Sequence, residues 1–554
     1  MSNHKFNAVF LATAVALFSQ SVFANPESFT HKNGSTVVNI NKADGNGLSH
    51  NIWASLNVSN KGMVLNNSME NILRENGNIG KNSNLDSAAK IILNEVVSNK
   101  SSTLGGFIEV AGQKADVIIA NPNGITCSGC SFINTGRTTL TTGAPLFKGD
   151  TLTGFNVTKG TITVKGNGLQ TTDFTEILSQ KINIQGMVKA AQLKAVAGTY
   201  KYDLASRTAA ANLKTLNRTG IDVSALGGVT AGVIQLQTTD VGSGVNNSGI
   251  LTASALYINS NGQLTNTGKI NGSAVNASVV GKINTSGSIQ ANEVSLTSND
   301  SVINSGALEA NKSISLLSVN KITNEEAGSI NAGGDVQLIS LAGDIENKGA
   351  IKTAGSLYGQ SGYANVEGKV AAVANTSIIN AGSIDVAKDL SLVAVKEIAL
   401  KSQKDKASDF KQVVVGGDAA LNAEKVYSEG AFIAKNISAQ TSEIENKGDM
   451  AALETMTLSG KKRITNNGSL SARTLSLASE GEIKNYTCSW LVLCSSGTVT
   501  ADKMTVTAPK MTKLSNIGGE MWVSVIEFNK PAEPQPAPQP ESQPAPQPEP
   551  ETTA

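Results

Sequence analysis

The feature that most constrains the fold of this chain is a repeat with a period of 19 residues. Glycine recurs at positions 249, 268, 287 and 306, and the residue two places before each glycine is asparagine or threonine. A period near 20 residues is typical of solenoids, in which each repeat forms one coil. Within a repeat, short pieces such as Ser313–Leu316 alternate polar and apolar side chains, so every second residue points inward. One coil cannot bury its apolar side alone, and the pattern therefore predicts an all-β solenoid of stacked coils, a parallel β-helix.

The composition agrees with many short strands joined by tight turns. Of the 554 residues, 4% are aromatic and 16% are charged, whereas 53 are glycine. Low aromatic and charged content is unusual for a globular enzyme of this size. The formal net charge is +1, so nothing favours electrostatic capture of nucleic acid or of an anionic membrane. We therefore expect no nucleic-acid partner.

The first 24 residues have the pattern of a secretory signal peptide. Lys5 supplies a positive charge, Ala8–Phe18 is apolar, and the small residue Ala24 suits cleavage after it. No later segment approaches about 18 continuous apolar residues, the length that a membrane-spanning helix needs. We expect an exported protein that is not an integral membrane protein.

A second informative stretch follows a predicted buried strand at Ala115–Ala120. The residues Asn121-Pro122-Asn123-Gly124 predict a tight turn, because proline fixes φ and Asn-Gly tolerates a left-handed backbone. Ile125 follows the turn, and Cys127 and Cys130 come directly after it.

This stretch resembles the N-terminal secretion domain of two-partner secretion exoproteins, the filamentous-haemagglutinin-like proteins of Gram-negative bacteria. Asn46–Asn51 followed by Leu56–Val58 is similar to another stretch of that family, although Leu56 stands where phenylalanine is expected. The resemblance runs from about Val37 to Val245. It implies a right-handed parallel β-helix with extra antiparallel strands, captured by the periplasmic domains of a dedicated outer-membrane transporter.

The family usually carries two asparagine motifs, and here they differ in how well they are kept. Asn121–Ile125 is intact, and we expect an exposed turn that serves transporter recognition, the structure of the domain, or both. The other motif is Asn82-Ser83-Asn84-Leu85, in which Ser83 replaces a proline and so frees one φ angle. We expect Asn82, Asn84 and Leu85 to matter less for export.

The remaining candidate residues favour structural roles over chemistry. His50 lacks a nucleophile constellation nearby, and we expect it to make a structural hydrogen bond. Cys127 with Cys130, and Cys488 with Cys494, are expected to form two local disulfides in an oxidising compartment. Neither pair has a matched His/Cys set at zinc-like spacing, so we predict no metal and no cofactor.

The C-terminal part changes character twice. Lys401–Gln412 is a charged stretch that predicts a loop extruded from one coil. Pro531–Ala554 is rich in proline and predicts a disordered, extended tail, acting as a spacer or as a tether at the cell. The predicted layout is a signal peptide (1–24), a secretion domain that caps the solenoid (25–245), repeats (246–528) and the tail (529–554).

These features favour a non-enzymatic adhesin-like rod, secreted or displayed at the cell surface, which binds a host-cell, bacterial or matrix receptor. Two alternatives use the same fold: the stalk of a contact-dependent inhibition or haem-acquisition exoprotein, and a polysaccharide-active enzyme. We expect no toxin module after the tail, and His31 and His50 are the histidines left for haem after the signal. Against an enzyme, no paired carboxylates stand out from the turn residues.

Overall fold

A computed structural model of the chain confirms the predicted all-β parallel β-helix. The model describes residues 25–74, 77–211, 214–366, 369–372, 375–401, 412–488, 494–509 and 517–529. These residues form 51 strands and no helix. It follows that no helix of the described part is long and apolar enough to cross a membrane. The predicted signal peptide, most of the charged loop (402–411), the tip between Cys488 and Cys494, and the proline-rich tail lie outside the described residues.

The chain divides into two compact units, residues 1–355 and 356–554. The first half of the first unit contains these strands: β1 (Ser28–Thr30), β2 (Thr36–Asn39), β3 (Leu48–Trp53), β4 (Met63–Asn67), β5 (Ile91–Val96), β6 (Ser102–Leu104), β7 (Phe107–Gly112), β8 (Ala115–Ala120), β9 (Ile125–Ile133), β10 (Thr135–Thr141), β11 (Ala144–Lys148), β12 (Thr151–Val157), β13 (Thr161–Gln170), β14 (Phe174–Ser179), β15 (Lys181–Ile184), β16 (Met187–Lys189), β17 (Gln192–Ala197), β18 (Tyr200–Asp203), β19 (Thr208–Ala211), β20 (Thr219–Val223) and β21 (Gly228–Thr238).

The second half of the first unit is the regular solenoid. Its strands are β22 (Gly244–Asn247), β23 (Ile250–Ser260), β24 (Leu264–Asn266), β25 (Lys269–Val279), β26 (Ile283–Thr285), β27 (Ser288–Ser298), β28 (Val302–Asn304), β29 (Ala307–Ser318), β30 (Ile322–Asn324), β31 (Ser329–Ala332), β32 (Val336–Ser340), β33 (Ile345–Asn347) and β34 (Ala350–Thr353).

Each coil of this solenoid pairs in parallel with the next at the predicted spacing. Leu251 of β23 lies beside Ile270 of β25, which lies beside Ile289 of β27 and then Leu308 of β29. All four side chains are buried. The 19-residue period of the sequence is therefore the length of one coil, and residues at equivalent positions of successive coils stack on one another.

The asparagine of each Asn-x-Gly repeat points inward and forms a ladder. Asn247 donates from Nδ2 to Oδ1 of Asn266 over 2.8 Å, and Asn304 donates to Asn324 over 2.8 Å. Thr285 occupies the intervening position and accepts from Asn266 at 3.2 Å. Because these residues are buried, the N–H groups of each side-chain amide need an internal acceptor, and the neighbouring coil supplies one.

The glycine of the repeat is required by the close approach of successive coils. A Cβ atom on Gly287 would lie well inside van der Waals contact of the carbonyl oxygen of Gly268, and the same holds for Gly268 against Gly249. Any larger residue would push the coils apart at this corner. The Asn-x-Gly pattern thus encodes both a buried ladder and a tight corner.

Replacing Asn324 with alanine is expected to destabilise the first unit more than an exposed replacement does. Asn324 donates to Oδ1 of Asn347 and accepts from Nδ2 of Asn304, each at 2.8 Å. Each buried group left without a partner costs about 1–3 kcal/mol. Urea unfolding measures the loss, and Asn331→Ala on the exposed side of β31 is the matched control. Equal effects of the two variants would contradict a stabilising ladder.

The N-terminal end of the first unit carries two antiparallel additions. Strand β1 pairs antiparallel with β2 at the first coil. A separate four-stranded antiparallel sheet, β11-β12-β18-β19, packs on the row of parallel strands β3-β5-β8-β10-β14-β17. Its side chains enter a shared core whose members are Leu48, Leu93, Ile118, Ala120, Phe155, Val157, Leu178, Val196, Tyr200 and Tyr202.

The second unit is also a parallel solenoid, with two antiparallel hairpins. Asn446 donates to Asn466 and Asn466 to Asn485 over 2.8 and 2.7 Å, repeating the ladder. Its strands are β35 (Leu357–Ser361), β36 (Tyr363–Val366), β37 (Lys369–Ala372), β38 (Ser377–Asn380), β39 (Ser383–Val386), β40 (Leu390–Ala394), β41 (Glu397–Leu400), β42 (Val413–Asn422), β43 (Lys425–Ser428), β44 (Ala431–Asn446), β45 (Asp449–Asn466), β46 (Ser469–Ser479), β47 (Glu482–Lys484), β48 (Tyr486–Cys488), β49 (Cys494–Ser496), β50 (Thr498–Thr507) and β51 (Glu520–Asn529).

Candidate functional site

The turn at Asn121–Gly124 connects β8 to β9 and is organised by the side chain of Asn121. Its Nδ2 donates to the carbonyl oxygen of Lys100 and to Oγ of Ser102, each at 2.9 Å. Its backbone N–H donates to the carbonyl oxygen of Thr141 at 2.9 Å. The asparagine therefore ties the turn to the preceding loop and to β10.

The rest of the turn is closed by bonds back to Asn121. The N–H of Asn123 donates to Oδ1 of Asn121 at 3.0 Å, and the N–H of Gly124 donates to its carbonyl oxygen at 3.0 Å. Asn123 also donates from Nδ2 to the carbonyl oxygen of Ser98 at 2.6 Å. Gly124 has φ 109°, where side chains are strained, so its lack of a Cβ is required. Both asparagine side chains thus bond to the domain itself.

The prediction that this turn is exposed is wrong. Asn121 is 0% and Ile125 1% exposed, Gly124 is buried, and Pro122 and Asn123 are only partly exposed. The physical reason is that the amide of Asn121 satisfies backbone groups of a neighbouring segment, which requires it to lie inside. These contacts support the structural role of the turn, and recognition by a transporter stays a prediction.

The second motif forms the same turn although it lacks the proline. Asn82 donates from Nδ2 to the carbonyl oxygens of Ile40 and Asn66, both at 2.9 Å. The N–H of Asn84 donates to Oδ1 of Asn82 at 3.0 Å, and the N–H of Leu85 donates to its carbonyl oxygen at 3.3 Å. Replacement of proline by Ser83 therefore leaves the geometry intact, since the asparagine determines it.

The two cysteine pairs differ in what the structure describes. Cys127 and Cys130 of β9 are joined by a disulfide and buried, with Gly129 between them at φ 88°. Cys488 and Cys494 lie opposite each other at the end of the antiparallel pair β48–β49. Their side chains are outside the described part, so this second disulfide stays a prediction.

His50 makes a side-chain contact consistent with the structural role predicted for it. Its Nε2 lies 2.8 Å from Oε2 of Glu95, and its ring centroid lies 5.5 Å from that of Phe147. Phe147 belongs to β11, so His50 helps to connect the solenoid to the antiparallel sheet. Among the described residues no group of three or more His, Cys, Asp or Glu side chains could hold a metal ion.

A buried charge cluster was missed by the sequence reasoning. Glu176 of β14 is 0% exposed and accepts from Tyr202 Oη at 2.6 Å, from Thr139 Oγ1 at 2.9 Å and from Arg207 Nη1 at 2.9 Å. Burial, together with the charge of Glu176, raises the pKa of Tyr202 far above its usual range. The carboxylate thus joins the solenoid to the antiparallel sheet. The available signal was a glutamate inside the apolar strand Phe174–Ser179.

The outer side of this cluster is a small opening of about 430 Å³. The guanidinium groups of Arg137 and Arg207 lie 5.2 and 5.8 Å from the ring centroid of Phe174. Arg137 lies 3.8 Å from Asp116, whose pKa is raised by burial against the opposing effect of Arg137. A cation stacked on an aromatic ring is stabilising. Arg207, which lies between β18 and β19, therefore helps to hold the antiparallel sheet against Phe174 of β14.

Comparison with known proteins identifies this region. The TPS secretion domain family matches residues 16–272. This part of the chain is a TPS secretion domain. The match includes both asparagine turns, the bonded cysteines, Glu176 and the four-stranded sheet, so the resemblance seen in the sequence is confirmed.

The relatives of this secretion domain are much longer proteins. The chain is 39% identical to "Toxin CdiA" of Yersinia pestis over 248 residues, which is 43% of this chain and 8% of that protein. It is 38% identical over 253 residues to "16S rRNA endonuclease CdiA" of Enterobacter cloacae subsp. cloacae, again 43% of this chain and 8% of that protein. The solved filamentous hemagglutinin secretion domain aligns at 27% identity and TM-score 0.39, over 63% of this chain and 97% of that one. The chain therefore spans less than a tenth of the length of the two CdiA proteins.

Proposed function

We propose that the chain is a two-partner secretion exoprotein, exported across the outer membrane by a dedicated transporter and secreted or displayed at the cell surface. The observation that carries this proposal is the TPS secretion domain at residues 16–272. It is joined to a repetitive solenoid whose described coils stack in parallel, an arrangement that creates binding surfaces along the coils. The transporter with its periplasmic recognition domains is the proposed partner.

At the cell surface the solenoid would act as a non-enzymatic adhesin. Parallel coils present rows of partly exposed polar side chains, such as the ion pairs Lys425–Glu445 and Arg463–Glu443, and rows of this kind can contact a partner along several coils. The receptor would be a component of a host cell, another bacterium or the matrix.

A second candidate is supported by the CdiA relatives, which share 37–40% identity with the secretion domain. On this alternative the chain would act with a contact-dependent inhibition system. The nuclease activities in the names of those relatives belong to proteins of which this chain matches only a small share.

Export of the full chain is expected to require a two-partner transporter. In a host that lacks such transporters, the chain alone should remain in the periplasm, and co-expression of the partner transporter should move it to the surface or medium. Protease accessibility on intact cells and immunoblotting of the medium measure the shift. The control is the same transporter with its periplasmic domains deleted. Surface exposure without any transporter would contradict the proposal.

Two assays then separate the candidate activities. Purified chain adsorbed to plastic should retain host cells or matrix proteins if it is an adhesin. Mixed cultures of producing and non-producing bacteria should show growth inhibition of the latter if it belongs to an inhibition system.

A further inference from the structure

Strand β51 has apolar core positions that no further coil of the described residues covers. Strand β51 pairs in parallel with β50, and this is its sole strand partner among the described residues. Met521, Val523, Ile526 and Phe528 lie beside Val499, Ala501, Met504 and Val506 of β50. The four β50 residues are at most 5% exposed, whereas all four β51 residues are partly exposed.

The outward face of β51 also carries two exposed apolar side chains, and the backbone edge of this strand has no partner beyond β50 among the described residues. Trp522 is 71% and Val525 51% exposed. An open edge of this kind is a template for a further strand, and soluble proteins normally block it with charges, proline or a cap. Solenoids likewise need a terminal unit that hides the last coil.

The sequence that follows β51 is poorly suited to a further coil. Nine of the 13 prolines of the chain fall within residues 531–554, at nearly every second position of its first half. Proline has no N–H to donate, and it is excluded from paired positions of a sheet. A strand of the same composition as β51, in a second copy of the chain, is a better candidate for the cover.

We propose that β51 is the interface of a symmetric dimer, in which the β51 strands of two copies pair antiparallel and each covers the open coil of the other. Strand β51 turns its corner at Ser524 and Val525, two consecutive exposed residues, as β50 does at Asp502 and Lys503. A two-fold axis through this corner places Val523 beside Ile526 of the other copy.

The sequence on the two sides of the corner is complementary in that register. The inward positions pair Met521 with Phe528 and Val523 with Ile526, so that apolar side chains meet on both sides of the axis. The outward positions pair Trp522 with Glu527 and Glu520 with Asn529, which avoids like charges. Parallel pairing would instead set Glu527 beside Glu527, which is destabilising.

Isologous contacts of this type close on themselves and do not propagate. When the β51 strands of two copies pair, the open edge of each copy is covered by the other. The proposal thus explains how the apolar positions of β51 are covered without open-ended aggregation, and it goes beyond the proposed export and adhesion.

The mass of the purified chain, residues 25–554, tests the interface. Light scattering coupled to gel filtration should give twice the mass of one chain for the wild type. The double variant Val523→Lys, Ile526→Lys should give the mass of one chain, because four lysines would meet at the axis. Thr500→Lys, an exposed position one coil away on β50, is the matched control and should remain dimeric. A wild-type chain that stays monomeric up to millimolar concentration overturns the proposal.

Cross-linking tests the register and does not depend on the lysine variants. Antiparallel neighbours have Cα atoms about 4.5–5.5 Å apart, within the range of a disulfide. A mixture of Val523→Cys chains and Ile526→Cys chains should therefore form a cross-linked pair under mild oxidation, and neither variant alone should do so. Self-cross-linking of Val523→Cys to the same extent as the mixture would overturn the two-fold register.

Discussion

Replacing Glu176 with alanine is expected to destabilise the secretion domain by about 1–3 kcal/mol for each buried group left without its hydrogen-bond partner. Glu176 is fully buried and accepts three hydrogen bonds, from Tyr202, Thr139 and Arg207. Alanine would leave the hydroxyl groups without their acceptor and Arg207 without its carboxylate. Chemical denaturation followed by circular dichroism measures the loss.

Two further variants separate the contribution of the charge of Glu176 from that of its hydrogen bonds and provide an exposed control. Glu176→Gln keeps an acceptor for the hydroxyl of Tyr202 but removes the charge that faces Arg207, so its loss should be smaller than that of alanine. Glu293→Ala breaks an ion pair with Lys312 whose side chains are more than half exposed, and it should change stability by less than about 1 kcal/mol. If Glu176→Ala behaved like Glu293→Ala, the cluster would not hold the antiparallel sheet on the solenoid.

The regular solenoid could be predicted because each coil repeats the same local requirement. Asn247, Asn266 and Asn304 form side-chain ladders, and the glycine two residues later allows the coils to approach, so both requirements leave a visible period in the sequence. The four-stranded antiparallel sheet produces no such period in the sequence. Strand β12 pairs with β18, so that Gly154 lies beside Asp203, and no local pattern specifies a contact between residues so far apart. It was expected only because the sequence resembles the family.

The burial of the asparagine turns could not be read from their residue types. Asn, Pro and Gly are frequent in exposed turns, and the sequence around Asn121 does not show which backbone groups its amide will meet. For β51 the residue types suggest burial, whereas the structure shows partial exposure. Val523 and Ile526 look like ordinary core residues, and their partial exposure follows from the absence of a paired coil beyond β51 among the described residues.

The double variant Asn121→Ala, Asn123→Ala is expected to reduce export strongly and leave the protein degraded in the periplasm. The side chain of Asn121 donates to Lys100 and Ser102 and accepts from the N–H of Asn123. Removing it leaves buried polar groups without partners, at about 1–3 kcal/mol for each. The surface level of the protein and its unfolding in urea are measured together, with the transporter co-expressed at a constant level.

The second motif supplies the control that separates folding from recognition. Asn82→Ala, Asn84→Ala removes the corresponding bonds from a turn of the same geometry, so it should also lower stability. Its effect should be somewhat smaller, because Asn84 bonds over 3.4 and 3.5 Å whereas Asn123 bonds over 2.6 Å. Pro122→Ser gives the first motif the residue that the second one has at Ser83, and the turn at Asn82 shows that this residue is accommodated. Stability of Pro122→Ser should therefore be nearly unchanged.

If the export of Pro122→Ser also stays unchanged while both double variants lose export in proportion to their stability, the turns act through the fold alone. If the Asn121 double variant loses export far beyond its stability, the turn is read by the transporter. Normal export of that variant would exclude both roles.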